Sequence, residues 1–169
     1  MLFDTTNADG VGDALAFASN FYRTNQTDYG IENSGLAVVI VVRHRSAPFG
    51  YNDAMWAKYG AMLAARSKVE DPKTKQAPAA NFFNATGYGD LLTNRGTTLE
   101  AVAKLGAQFG VCTLSTRAIA ETIAKAVGST REAIFTELTS NLVSNGRMVP
   151  AGIVAVARAQ ERGYSLVTC

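Results

Sequence analysis

The chain has 169 residues, 47% hydrophobic and only 18% charged, with 16 Lys and Arg against 14 Asp and Glu for a net charge of +2. That balance excludes a mainly disordered chain, is too mild for a nucleic-acid partner, and leaves a domain that buries about 70% of its unfolded surface. One His and two Cys are too few for a zinc cage or a disulfide scaffold, and the longest purely apolar run, seven residues, is far short of the roughly 20 that cross a membrane.

In chain order, Leu2 to Thr5 reads as a truncated strand. A start inside a strand suggests a leader removed ahead of it, and so an exported, periplasmic protein; without one the location is cytoplasmic. A helix is predicted over Val11 to Arg23, with Val11, Leu15, Ala18 and Tyr22 at helical spacing. Gly10-Val11-Gly12 before it lacks the third glycine of a dinucleotide loop and the Gly-Lys-Ser/Thr of a P-loop, so no nucleotide or other cofactor is expected.

Leu36 to Val42 is continuous and β-branched, the pattern of a parallel strand covered on both faces. Asn52 is placed to cap a helix bearing Met55, Trp56, Tyr59, Met62 and Leu63. Ser67 to Gly96, about 30 residues with Phe82, Phe83 and Tyr88 embedded, reads as a packed loop insertion of the lid or interface kind. Thr97 with Glu100, and Ser129 with Glu132, have capping-box spacing ahead of two helices. Between them lie a strand over Phe109 to Leu114 and a helix carrying Ile119, Ile123 and Val127. A short strand ends at Val149. Pro150 is suited to the first position of a helix over Ile153 to Arg162 that Gly163 closes, and Tyr164 to Val167 makes a last strand. The alternation predicts one α/β domain over residues 1–169, with a parallel sheet and helices on both faces.

Ligands of open parallel sheets bind outside the carboxyl ends of the strands. That edge collects Asp4, His44, Ser46, Asn52, Asp53, Cys112, Ser115, Gly152 and Cys169. Cys112 has two readings. It is a small buried hydrophobe, or an exposed thiol just before a helix, where the helix N-terminus, Arg117 and His44 lower its pKa and make it a nucleophile. His44 either caps a strand end or belongs to a pocket. Trp56 reads first as core, and otherwise lines a small-molecule pocket with His44, Asn52 and Asp53. A transition-metal site using His44 with Cys112 or Cys169 has too few ligands, so no metal is expected.

Arg43-His44, Pro48 and the run Asn52 to Tyr59 (Asn-Asp-Ala-Met-Trp-Ala-Lys-Tyr) resemble a signature of DsrE/DsrF-like proteins. Val111 to Leu114 resembles their cysteine-bearing segment, and Val149 to Tyr164, long and unusual, their closing segment. The resemblance runs over most of the chain. It implies a three-layer α/β/α fold on a five-stranded parallel sheet, a homo-oligomer, often a trimer or hexamer, and an often exported subgroup. It also implies sulfur handling as a persulfide, a role that carries over by position to Cys112, with a sulfur donor or acceptor protein as partner. In that fold the strands ending at His44 and Cys112 are neighbours, about 4.8 Å apart.

Two functions from different classes follow. One is thiol-based sulfur transfer through Cys112, with His44 and Arg117 stabilising the thiolate. The other is a non-catalytic oligomeric small-molecule-binding module in which Cys112 is structural.

Overall fold

A computed structural model describes residues 1–169. The strands are β1 (Leu2–Thr5), β2 (Val39–Val42), β3 (Gln108–Cys112), β4 (Gly146–Val149) and β5 (Leu166–Thr168). The helices are α1 (Ala8–Tyr29), α2 (Asp53–Ser67), α3 (Leu99–Lys104), α4 (Thr113–Val127), α5 (Arg131–Thr139) and α6 (Gly152–Glu161). All strand pairs are parallel, in the order β4-β3-β2-β1-β5.

This order explains the layers. From β1 to β4 the chain steps one strand at a time in one direction, so right-handed crossovers put α1 to α5 on one face. The last connection returns from β4 across the sheet to β5, which puts α6 on the other. The fold is therefore a three-layer α/β/α sandwich with unequal outer layers. Side chains divide accordingly. Phe3, Ile40, Val42, Phe109 and Val111 join a 32-residue core with α1 to α5, whereas Leu2 and Val41 meet Val156 of α6 on the opposite face.

Local signals and structure differ in detail. β2 starts at Val39 rather than Leu36, because its ladder begins with Val39 opposite Leu2 of β1. Helix α1 runs to Tyr29, six residues beyond the predicted end at Arg23, since each added residue of a formed helix contributes one more hydrogen bond. It stops at Gly30, which takes a left-handed φ of 66°. At both capping-box sites the second hydroxyl residue is the cap. Thr98 accepts from Ala101 N–H and Thr130 from Ala133 N–H, one position after Thr97 and Ser129. Helix α6 begins at Gly152 behind Ala151, which leaves Pro150 just outside it.

The segment between α2 and α3 is packed. Phe82 and Phe83 are buried, with ring centroids 5.2 and 4.9 Å from Phe49, which stacks on Trp56 at 5.3 Å. No helix is long and apolar enough to cross a membrane.

Candidate functional site

Cys112 ends β3 and is the residue from which α4 starts. Its neighbour in the sheet is Val149, the last residue of β4, three positions before α6 begins. Adjacent strands of equal register thus release their helices side by side, and the first turns of α4 and α6 both open at one sulfur. Cys112 Sγ accepts the Gly152 N–H at 3.2 Å. The N–H groups of Leu114 and Ser115 and the Ser115 hydroxyl add to the pull on the sulfur toward the thiolate. Burial pushes the thiol up, but the polar groups of Ser115, Gly152 and Leu114 favour the thiolate and outweigh it, so the thiol lies below its ordinary value. The residue is 5% exposed.

Around the sulfur is a fixed polar frame. Arg43, just beyond β2, makes a bidentate pair with Asp4 of β1, Nε to Oδ1 at 2.7 Å and Nη2 to Oδ2 at 2.8 Å. Its guanidinium stays firmly charged, first through the Asp4 hydrogen bonds, against burial, and further through the Asp4 and Cys112 charges. The stem of Arg43 lies under the start of α6. A Cβ on Gly152 would fall 2.6 Å from Arg43 Cβ, so only glycine lets the Gly152 N–H reach the sulfur with Arg43 in place.

The turn after β2 is tied down by Ser46. Its hydroxyl oxygen accepts the Arg43 N–H at 2.8 Å, and it lies 3.0 Å from the Thr5 hydroxyl that bonds to it. Within the turn His44 takes a left-handed φ of 56°, uncommon outside glycine. That conformation aims the His44 N–H at Ser115 Oγ, 2.9 Å away. Ser115 therefore accepts from His44, and its hydroxyl favours the Cys112 thiolate. Beneath them Tyr51 donates to Thr116 Oγ1 at 2.8 Å, and Thr116 donates to the Cys112 carbonyl at 3.0 Å.

The residues singled out from sequence are brought together only in part. His44 reaches the Cys112 site through its main chain, while the residue itself is exposed. Arg117 is exposed on α4, its guanidinium 5.7 Å from the Phe135 ring centroid, and none of the hydrogen bonds to the sulfur comes from it. Asn52 caps α2 through Met55 N–H at 3.3 Å and bonds Asn141. Asp53 accepts the Asn81 N–H at 2.9 Å. Trp56 is fully buried, its Nε1 donating to the Pro48 carbonyl at 3.1 Å.

Asp4, Arg43, Ser115 and Gly152 do the work at the sulfur. Their position at the carboxyl edge is readable from the strand ends; their partners, 39 and 40 positions away for Asp4–Arg43 and Cys112–Gly152, are not. No group of three or more His, Cys, Asp and Glu side chains is arranged to hold a metal ion. Cys169, ending beyond β5, is a different kind of thiol: burial first, then the Asp13 and Asp4 carboxylates, push it up to about 11.

The chain matches no model of a known protein family, no curated protein and no solved structure.

Proposed function

We propose that this chain is a DsrE-like sulfur-handling protein that carries sulfane sulfur on Cys112. The observation that carries the reading is the Gly152 N–H donated to Sγ at 3.2 Å where two helices start together, with the polar groups of Leu114 and Ser115 around the sulfur favouring a thiolate. In the reaction, the Cys112 thiolate attacks the terminal sulfur of a donor persulfide. The new S–S bond forms as the donor's own S–S bond breaks and the donor leaves as a thiolate. The negative charge passes from Cys112 to the departing donor and the proton stays on the transferred sulfur, so no further proton is needed. No net oxidation occurs, because the sulfur moves in the zero-valent state. Arg43, held by Asp4, offsets the negative charge before and after transfer. Cys112 is buried, 5% exposed as a residue, so a slim persulfide or polysulfide end suits it better than a bulky electrophile.

A homo-oligomer, a trimer or hexamer by the family resemblance, belongs to this reading. It is supported by Ile153 and Val154 of α6 and Leu166 of β5, which expose apolar surface on the thinly covered side of the sheet.

The test is polysulfide treatment followed by mass mapping of both cysteines near neutral pH. A persulfide on Cys112, absent in Cys112→Ser and far weaker on Cys169, is expected. No persulfide on Cys112 overturns the reading.

The burial of Cys112 favours a second reading, a non-catalytic binding module in which Sγ joins the starts of α4 and α6 as a structural acceptor. Cys112→Ser that keeps stability and ligand binding, with no persulfide on the parent, supports it.

A further inference from the structure

The segment between α2 and α3 does more than fill a face of the core. Together with the first turn of α1 it encloses a cavity of about 600 Å³ at the carboxyl edge of the sheet. That volume is in the range of small-molecule sites, and the edge is where parallel sheets bind ligands. Its apolar lining comes from Val69, Pro72, Phe82, Phe83, Leu91 and Leu92. Its charged lining is Asp9, Glu70 and Asp90 against Arg95. Three carboxylates and one guanidinium give this hollow a formal charge of −2, on a chain whose net charge is +2. Glu70 has Lys75 at 3.7 Å, both well exposed, a contact that offsets little of its charge.

The hollow is built, not incidental. Thr93 donates its hydroxyl to the Asp9 carbonyl at 2.8 Å and so straps the loop to α1. Gly12 permits that approach: a Cβ there would fall 2.0 Å from Thr93 Oγ1 and 2.8 Å from Asn94 N. The loop is anchored on its other side by Asn81, whose side chain donates to the Phe49 and Tyr51 carbonyls at 3.0 Å. The Gly12 of the Gly-Val-Gly sequence thus seats a loop rather than a phosphate.

We infer that this crevice binds a small organic cation with an apolar body, of the arylalkylammonium class. The aliphatic wall of Val69, Pro72, Leu91 and Leu92, backed by the buried Phe82 and Phe83, takes the body, and Asp9, Glu70 and Asp90 take the ammonium. A bare metal ion would leave that wall unused, and no acidic cluster here is arranged to hold one. The site is separate from Cys112, which does not line it.

The test is titration of the intact protein, followed by calorimetry or NMR at low salt, with three probes of one shape: phenethylammonium, phenethyl alcohol and hydrocinnamate. The cation should bind best, the alcohol more weakly and the carboxylate least, and added salt should narrow the gap. The exposed double variant Glu70→Gln with Asp90→Asn should lower the cation's affinity by about three- to tenfold and leave the alcohol unchanged. Gly12→Ala, which forces the strap off α1, should weaken cation and alcohol alike, whereas Cys112→Ser should change neither. No binding of the cation at millimolar concentration, equal binding of all three probes, or a double variant with undiminished cation affinity each overturns the inference.

Discussion

The Cys112 sulfur accepts the Gly152 amide at 3.2 Å across 40 positions of chain, and that contact joins the start of α4 to the start of α6. It exists because β3 and β4 are adjacent and end level, with Cys112 opposite Val149. It is held because Gly152 has no Cβ to strike Arg43. Thiolate stabilisation here is thus a property of two helix starts locked against one arginine.

Gly152→Ala tests that lock. The added methyl group would lie 2.6 to 3.2 Å from three carbons of the Arg43 side chain, so α6 or Arg43 must shift. We expect a loss of about 1–3 kcal/mol in urea unfolding, together with a rise of the Cys112 thiol toward its ordinary value, read from thiolate absorbance against pH. A variant with unchanged thiol titration would show that the Gly152 N–H contributes nothing to the thiolate.

The two cysteines should act on stability in opposite directions as pH changes. Cys112 is held below the ordinary thiol value of about 8.5. Between its folded value and about 8.5 the unfolded chain binds the extra proton, so stability rises with pH across that window. The contribution is lost as pH falls through the folded value. Cys169 is raised to about 11, so the folded chain keeps a proton that the unfolded chain gives up from about 8.5 upward. Its contribution falls as pH rises from about 8.5 through 11. Unfolding midpoints under reducing conditions should lose the rising component in Cys112→Ser and the falling component in Cys169→Ser. A pH profile of Cys112→Ser parallel to that of the parent would contradict the thiolate assignment.

Asp4→Asn should cost about 3 kcal/mol, because it leaves a partly buried guanidinium without its carboxylate. Arg43→Lys keeps the charge but cannot make the two parallel bonds seen at 2.7 and 2.8 Å. A double-mutant cycle on the pair should give a coupling of about 1–3 kcal/mol. Asp4→Asn keeps the guanidinium and removes a negative charge near the sulfur, so it should lower the Cys112 thiol further. Additive stabilities would mean that the pair is not coupled.

Much of the fold was legible from residue patterns. The order of strands and helices follows from continuous β-branched runs and four-residue apolar spacing, both strong because they reflect burial on two faces or one. Caps were legible to within one residue: Thr97 and Thr98, or Ser129 and Thr130, offer equivalent hydroxyls, and only the exit angle of the chain selects the second. The packing of Phe82 and Phe83 was legible as well, since three aromatics in a polar stretch need a wall to rest on.

By itself, then, the sequence determined the alternating architecture and the edge at which Asp4, His44, Ser115, Cys112 and Gly152 all arrive, because local hydrophobic period and strand ends are encoded within a few residues. Only the tertiary structure decided which of them meet. It paired Asp4 with Arg43 rather than leaving either at the rim. It turned the Gly152 amide onto the Cys112 sulfur, brought His44 to the site through its N–H and set the guanidinium of Arg117 at the Phe135 ring. Those outcomes depend on strand order, register and the absence of a Cβ at Gly152. The Asp4–Arg43 and Cys112–Gly152 contacts join positions 39 and 40 apart, carried by long-range packing and by no local pattern.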